Sequence, residues 1–242
     1  MSVHWLIETY ETLTSTQDMI RDRLGENPPE GLVVQAIQQT RGRGRQGRSW
    51  FSPPGNLYLS VLLKPVNGLC GIGQLSLVSC LSLSNTLAEM YGLDQKLLLK
   101  WPNDILLEGR KCAGILLETE TDEKGAFKGV ILGMGVNVVS APPEMGTALQ
   151  ASTDRKVALA DLREALLERL EEDYQRWQKQ GFTPFRSEWV SKTVGSGTPL
   201  SIGHGKTSRA GTFEDIDPEG SLILAEPGGN RITVSSGEVF FM

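Results

Sequence analysis

Apolar residues fall into blocks along this chain, and their spacing changes from block to block. From Thr14 to Leu24 the spacing predicts a helix capped by Ser15 or Thr16, whose side-chain oxygen can accept from an open amide of the first turn. Asn27-Pro28-Pro29-Glu30-Gly31 stops it. Leu32 to Ile37 is β-branched and apolar, as a buried strand is, and leads into a loop from Gln38 to Ser49. Asn56 to Lys64 reads as the next strand. The apolar block Leu75 to Leu87 is broken by Ser76, Ser79, Ser82, Ser84 and Asn85. That predicts a buried helix with a small-residue packing face, not a bilayer helix. Three strands follow, Lys96 to Trp101, Lys111 to Thr119 and Gly129 to Val139, two of them joined by the turn Leu107-Glu108-Gly109-Arg110.

The clearest helical period places Leu159, Leu162, Leu166, Leu170, Tyr174 and Trp177 on one stripe that ends near Gly181. Thr183-Pro184 then reads as the cap and first position of a short helix through Trp189. After about Thr193 the texture becomes short β runs, at Leu200–Ile202, Ser208–Glu214, Ser221–Ala225 and Arg231–Val234. Turns such as Asp217-Pro218-Glu219-Gly220 and Gly228-Gly229-Asn230 separate them, the texture of a small SH3-like barrel. The expected fold is α/β (α+β): a mixed sheet with helices on one side over residues 1–190, then the barrel over 191–242.

Composition narrows the function classes. A net charge of −5 over 242 residues argues against a nucleic-acid partner, because phosphate backbones reward a basic face. No segment reaches the roughly 20 uncharged apolar residues of a membrane span, so no membrane partner is expected. Met1 to Tyr10 has no export pattern, which points to a cytoplasmic address. Cys70, Cys80 and Cys112 match no zinc or redox spacing and read as reduced core thiols; with two histidines, no protein metal cluster is expected.

Against that acidic background, Arg41-Gly42-Arg43-Gly44-Arg45-Gln46-Gly47-Arg48 packs four guanidinium groups and three glycines into eight residues. Glycine permits close backbone approach, and arginine's planar fork grips phosphate or carboxylate through paired hydrogen bonds. The segment reads as a mobile anion clamp that closes over its ligand; a solvated basic loop is the plain alternative. Trp50 and Phe51 beside it suit stacking on a purine, sealing of the loop, or anchoring in the core.

Lys100-Trp101-Pro102-Asn103-Asp104 presents Asn103 and Asp104 at a strand end, where Asp104 could orient a magnesium ion, a ribose or an attacking amine, or simply form a turn. Lys111 opens the apolar strand 110–118. Burying its ammonium calls for an anion, a substrate carboxylate or an α-phosphate, unless it guards an exposed edge. In Ile131 to Asn137, the period of two sets Gly133, Gly135 and Asn137 on one face, a bare strip shaped for a flat ligand such as adenine, if not a bulge.

Taken in this order, Gly42-Arg43-Gly44-Arg45-Gln46-Gly47-Arg48, Lys100-Trp101-Pro102-Asn103-Asp104 and Arg110-Lys111-Cys112-Ala113-Gly114-Ile115-Leu116 resemble the biotin protein ligase family. The match runs from about Thr14 to Asn137, and the long helix and C-terminal barrel fit as well. The resemblance implies a catalytic domain of the biotin/lipoate ligase type followed by an SH3-like domain. It implies biotin and ATP as substrates, Mg2+ carried by ATP, and a biotin carboxyl carrier protein as acceptor, with monomer and homodimer both open. Around biotin it sets Ser15, Thr16, Gln17, Gln39, Arg43, Gly44, Arg45, Lys111 and Gly114. Toward ATP it sets Arg45, Arg48, Trp50, Lys100, Asn103, Asp104 and Asn137.

Two departures stand out: Gln17 replaces the family's usual asparagine, and Thr40-Arg41 precede the glycine loop where smaller residues often sit. Some family members carry an N-terminal helix-turn-helix domain that represses biotin synthesis. Ser15-Thr16 begin almost at the start here, so a form without it is expected. The implied chemistry is adenylation of the biotin carboxylate, then transfer to a carrier lysine, with Lys111 and Arg43 stabilising charge and Asp104 accepting the amine proton. The nearest rival is a lipoate or octanoate ligase of the same fold, whose loop usually resembles Arg-Arg-x-Ser-Gly-Gly-Gly, absent here.

Overall fold

The computed structural model describes residues 2–203 and 208–242. The first part runs β1 (Leu6–Leu13), α1 (Thr16–Arg23), β2 (Leu32–Gln39), β3 (Leu57–Leu63) and α2 (Ile72–Tyr91). It continues β4 (Leu97–Lys100), β5 (Asp104–Leu107), β6 (Arg110–Thr121), β7 (Phe127–Val136), α3 (Leu159–Gln180) and α4 (Thr183–Ser191). Then come β8 (Pro199–Ile202), β9 (Arg209–Ile216), β10 (Leu222–Ala225), β11 (Arg231–Val234) and β12 (Val239–Phe241).

The first seven strands form one mixed sheet in the order β1-β2-β3-β7-β6-β5-β4, with β1 parallel to β2 and the other pairs antiparallel. The last five form a separate antiparallel SH3-like sheet, ordered β11-β10-β9-β8-β12.

Three strands escape the apolar pattern. β1 is an edge strand with no fully buried residue, so its alternation is diluted by polar side chains. β5 is four residues long beside the Asn103-Asp104 turn signal, and β12 three residues long. Helices also flank both faces of the sheet, where one was expected. α2 and α3 bury their leucines against one face, whereas Ile20 of α1 packs on Leu32, Val34, Leu62 and Ile131 on the other.

Ser15 is the cap of α1, accepting from the Gln17 amide at 3.2 Å. At α4 the expected cap shifts by one residue: Phe182 occupies the position, with no side-chain hydrogen bond, and Thr183 is already helical. α3 is held by its stripe, Leu162, Leu166, Leu167, Leu170, Tyr174 and Trp177, all buried. At about 1.5–3 kcal/mol per fully buried large apolar side chain, packing outweighs helix propensity here.

Cys80 and Cys112 are core thiols, with burial pushing Cys112 up to about 12. Cys70 is exposed instead, so the expectation of three core thiols holds for two. Among the described residues no helix is long and apolar enough to cross a membrane. The small sheet sits against the large one: the Trp101 indole Nε1 donates to the Gly220 carbonyl at 3.0 Å, and Arg186 of α4 pairs with Asp215.

Candidate active site

Residues 42–50 double back on themselves. Arg43 bridges to Ser49, the Trp50 amide donates to the Gly42 carbonyl at 2.8 Å, and Gln46 and Gly47 take left-handed φ of 56° and 73°. A Cβ on Gly42 would stand 2.4 Å from the Trp50 carbonyl oxygen, so glycine is needed for the close approach.

The sequence expectation was a mobile loop reaching for an anion from outside. Its arginines are instead seated on protein acceptors. Arg43 pairs with Asp18 at 2.5 Å and Glu118 at 2.7 Å. Arg45 donates to Asn103 Oδ1 at 3.0 Å and the Gly237 carbonyl at 3.3 Å. Arg48 forms a two-pronged pair with Glu238. Charge-assisted bonds of this kind hold the loop over the sheet in a closed arrangement.

At one end of the site lies a cluster of hydroxyls and amides. Gln39 Oε1 accepts from the Thr16 backbone amide at 2.9 Å, and Gln39 Nε2 donates to Ser52 at 2.9 Å. The Thr16 and Ser60 hydroxyls share a 2.7 Å hydrogen bond. Thr16 at the start of α1, Ser52 after the loop and Ser60 on β3 are buried, and Gln39 at the end of β2 is half-buried, which suits orientation of a neutral polar ring.

The floor is where β6 and β7 pair Gly114 with Gly135 and Leu116 with Gly133. The strip is covered, not bare. The Trp50 indole lies on Gly135, where a Cβ would fall 2.6 Å from its ring, and also borders Gly114. Gln17 covers Gly133. Asn137 is just past the end of β7, its backbone N–H donating to the Cys112 carbonyl at 2.8 Å. Thus the flat group on the glycines is the protein's own tryptophan. Of the roles the sequence left open to Trp50, sealing the loop against the sheet fits this geometry.

Lys111 Nζ lies 2.6 Å from Asp104 Oδ1 and 5.2 Å from the centre of the Trp50 ring. The anion demanded by its position is therefore already present as Asp104. This places Asp104 in β5, opposite Lys100 of β4, rather than in an open turn. Asn103 fixes the corner, donating to the Ile115 carbonyl at 2.6 Å. Burial holds the Lys100 ammonium below its ordinary range, opposed by the charges of Asp104 and Glu238 and reinforced by Lys111 and Arg48. An incoming phosphate would relieve that strain on the charged form.

All of Ser15, Thr16, Gln17, Gln39, Arg43, Gly44, Arg45, Arg48, Trp50, Lys100, Asn103, Asp104, Lys111, Gly114 and Asn137 line one cavity of about 650 Å³. Its charged lining is six cations, Arg43, Arg45, Arg48, Lys100, Arg110 and Lys111, against three carboxylates, Asp104, Glu144 and Glu238. Asp18, Glu118 and Glu238 were not foreseen, although they seat the loop. A usable signal existed for one: the strand period carries Glu118 to the same face as Gly114 and Leu116. Among the described residues no group of three His, Cys, Asp or Glu side chains could hold a metal ion. Asp104 and Glu238 are hard oxygen donors of the kind that suits Mg2+ arriving on phosphates.

Comparison with known proteins adds the following. Residues 9–137 match the biotin/lipoate A/B protein ligase family, and residues 200–242 match the biotin protein ligase C-terminal domain. A biotin–[acetyl-CoA-carboxylase] ligase of Paracoccus denitrificans is 38% identical over 86% of this chain and 89% of its own. The bifunctional ligase/repressor of Bacillus subtilis is 33% identical over 89% of this chain and 68% of its own. Among solved structures, a biotin protein ligase from Aquifex aeolicus in complex with biotin and ATP superimposes with a TM-score of 0.83, at 28% identity, covering 98% of each chain.

Proposed function

Because the chain belongs to the biotin/lipoate A/B protein ligase family, we infer that its cavity carries out ATP-dependent biotinylation, with the residue roles that follow. The protein is a biotin protein ligase: it activates biotin as biotinyl-5′-AMP and passes it to a lysine of a biotin carboxyl carrier protein. The observation that carries this reading is the shared cavity. It joins a neutral hydroxyl-amide pocket at Thr16, Gln39 and Ser60 to a cationic wall of Lys111, Arg45, Arg48 and Lys100. Biotin needs the first for its ring and the second for its carboxylate and the triphosphate. The match at residues 200–242 and the lack of an Arg-Arg-x-Ser-Gly-Gly-Gly loop favour biotin over lipoate or octanoate.

In the first step a biotin carboxylate oxygen attacks the α-phosphorus, and the bond to the β-phosphate breaks with loss of pyrophosphate. Lys111 stabilises the negative charge shared by carboxylate and α-phosphate, and Arg45 and Arg48 align the phosphates. Magnesium, where bound, neutralises the triphosphate. In the second step the acceptor amine attacks the acyl carbonyl, loses a proton and expels AMP. We assign that proton to Asp104, whose Oδ1 lies 2.6 Å from Lys111 Nζ at the same cavity. The seated loop and Trp50 shield the mixed anhydride from water until the carrier docks. We place the catalytic unit at residues 1–190 and the SH3-like unit at 191–242. A cytoplasmic address suits three cysteines that are all free.

Biotin-dependent exchange of pyrophosphate into ATP tests the assignment. Exchange with biotin and none with lipoate or octanoate is expected, and the reverse would transfer the protein to the lipoate side of its family. Glu238 extends the test to the small domain. Glu238→Ala is expected to raise the KM for ATP several-fold by freeing Arg48, while biotin affinity measured calorimetrically stays within about twofold. An unchanged KM for ATP would remove Glu238 from the nucleotide side.

A further inference from the structure

Glu118 divides its carboxylate between two elements. Its Oε1 accepts from Arg43 at 2.7 Å, and its Oε2 accepts from Gln17 Nε2 and from Arg21, both at 2.9 Å. A carboxylate only accepts, so the end of the Gln17 amide turned toward it has to be the NH2. The Ile131 carbonyl, 3.4 Å from the same nitrogen, reinforces this. A flipped amide would set its oxygen against two acceptors.

The remaining end, Gln17 Oε1, is consequently turned to Gly133, where a Cβ would stand 3.0 Å from it. It is buried and has no hydrogen-bond partner, and both residues line the cavity. A buried acceptor left in this state destabilises the free protein and favours any ligand that brings a donor.

We propose that Glu118 is a positioning residue that sets the hydrogen-bond polarity of the head-group pocket. By holding the Gln17 amide in one orientation, it presents a lone acceptor to the ligand. It thereby selects a cyclic urea, whose ring nitrogens carry N–H donors, over carboxylic acids whose far ends offer none. The same side chain helps Asp18 to seat Arg43, so closure of the loop and recognition of the ring share one carboxylate. This rests on the biotin reading above and extends it to the choice among acids.

Calorimetric titration of the full chain tests it, using biotin and two cyclic carbamate analogues in which one or the other ureido N–H is replaced by oxygen. For the wild-type protein, one analogue is expected to bind about 10- to 100-fold more weakly than biotin, since it meets Gln17 Oε1 with a second acceptor. In Glu118→Met the amide is released and can turn its NH2 to the ligand. That analogue should then bind more tightly than it does to the wild type, and its gap to biotin should close to about threefold. Glu118→Gln, which keeps a carbonyl acceptor for Gln17, should retain most of the gap.

Melting temperatures establish that each variant is folded. Equal weakening of all three ligands in Glu118→Met would reduce Glu118 to a structural role and overturn the proposal. So would a wild-type protein that does not distinguish the analogues. A wild-type protein that binds no biotin would instead sink the functional reading beneath it.

Discussion

Lys111→Met is expected to slow biotin-dependent pyrophosphate exchange by about 10²–10³-fold, the loss typical of removing one preorganised donor from a developing charge. Methionine keeps most of the side-chain volume against Gly114 and Trp50, so the change isolates charge from packing. Asp104 loses its 2.6 Å partner in the variant, leaving a carboxylate close to where the substrate carboxylate and α-phosphate must meet. That repulsion adds to the lost stabilisation and acts in the same direction. Biotin affinity should fall far less than the exchange rate if, as proposed, the ring is held at Thr16, Gln39 and Ser60, away from Lys111. Single-turnover measurement of adenylate formation separates the two. A variant that forms adenylate at near wild-type rate would remove Lys111 from the chemistry.

Gly135→Ala should be nearly as damaging, for a reason that has nothing to do with charge. Its Cβ would lie 2.6 Å from Trp50 Cε2 and 2.7 Å from Nε1, well inside contact distance. The glycine is next to the last residue of β7 but is paired on both sides, to Tyr58 of β3 and Gly114 of β6, which leaves the backbone little room to yield. The indole has to leave, taking with it the end of the loop that carries Arg45 and Arg48. Misplacing such groups by about 1 Å is enough for roughly 10²-fold in rate, and that is the expected fall in kcat/KM for ATP. Tryptophan fluorescence should report the displaced ring. Trp50→Ala added to Gly135→Ala should cost less than the two changes apart, because the clash is already gone. Strict additivity would show that the two residues do not meet.

Much of this site could be seen in one dimension. The arginine-glycine run, Lys100 to Asp104 and Lys111 to Gly114 are contiguous segments whose chemistry is carried by residue type, so a sequence displays them directly. The acidic partners of the arginines were hidden for the opposite reason. Arg43 and Glu118 are 75 residues apart, and Arg48 and Glu238 are 190 apart. Beyond the strand period that turns Glu118 to the face of Gly114, a single acidic residue carries no local mark of its distant partner. The glycine strip was visible as a flat surface, but its occupant was misjudged, because nothing between Ile131 and Asn137 announces that Trp50 folds back onto it.

The same division holds for the fold. Residue periodicity determined α2, α3, β2, β3, β6 and β7, because a buried face repeats with the pitch of its own backbone. Glycine and arginine content marked residues 41–48 as a mobile anion clamp, but not the protein carboxylates that seat Arg43 and Arg48. Tertiary structure alone decided that α1 covers the face opposite α2 and α3. It also decided that β7 inserts between β3 and β6, bringing Gly133 and Gly135 under residues of α1 and the loop. Strand order and ion pairing depend on which distant surfaces bury the most apolar area and satisfy each other's charges together, a property of the whole chain that no local window contains.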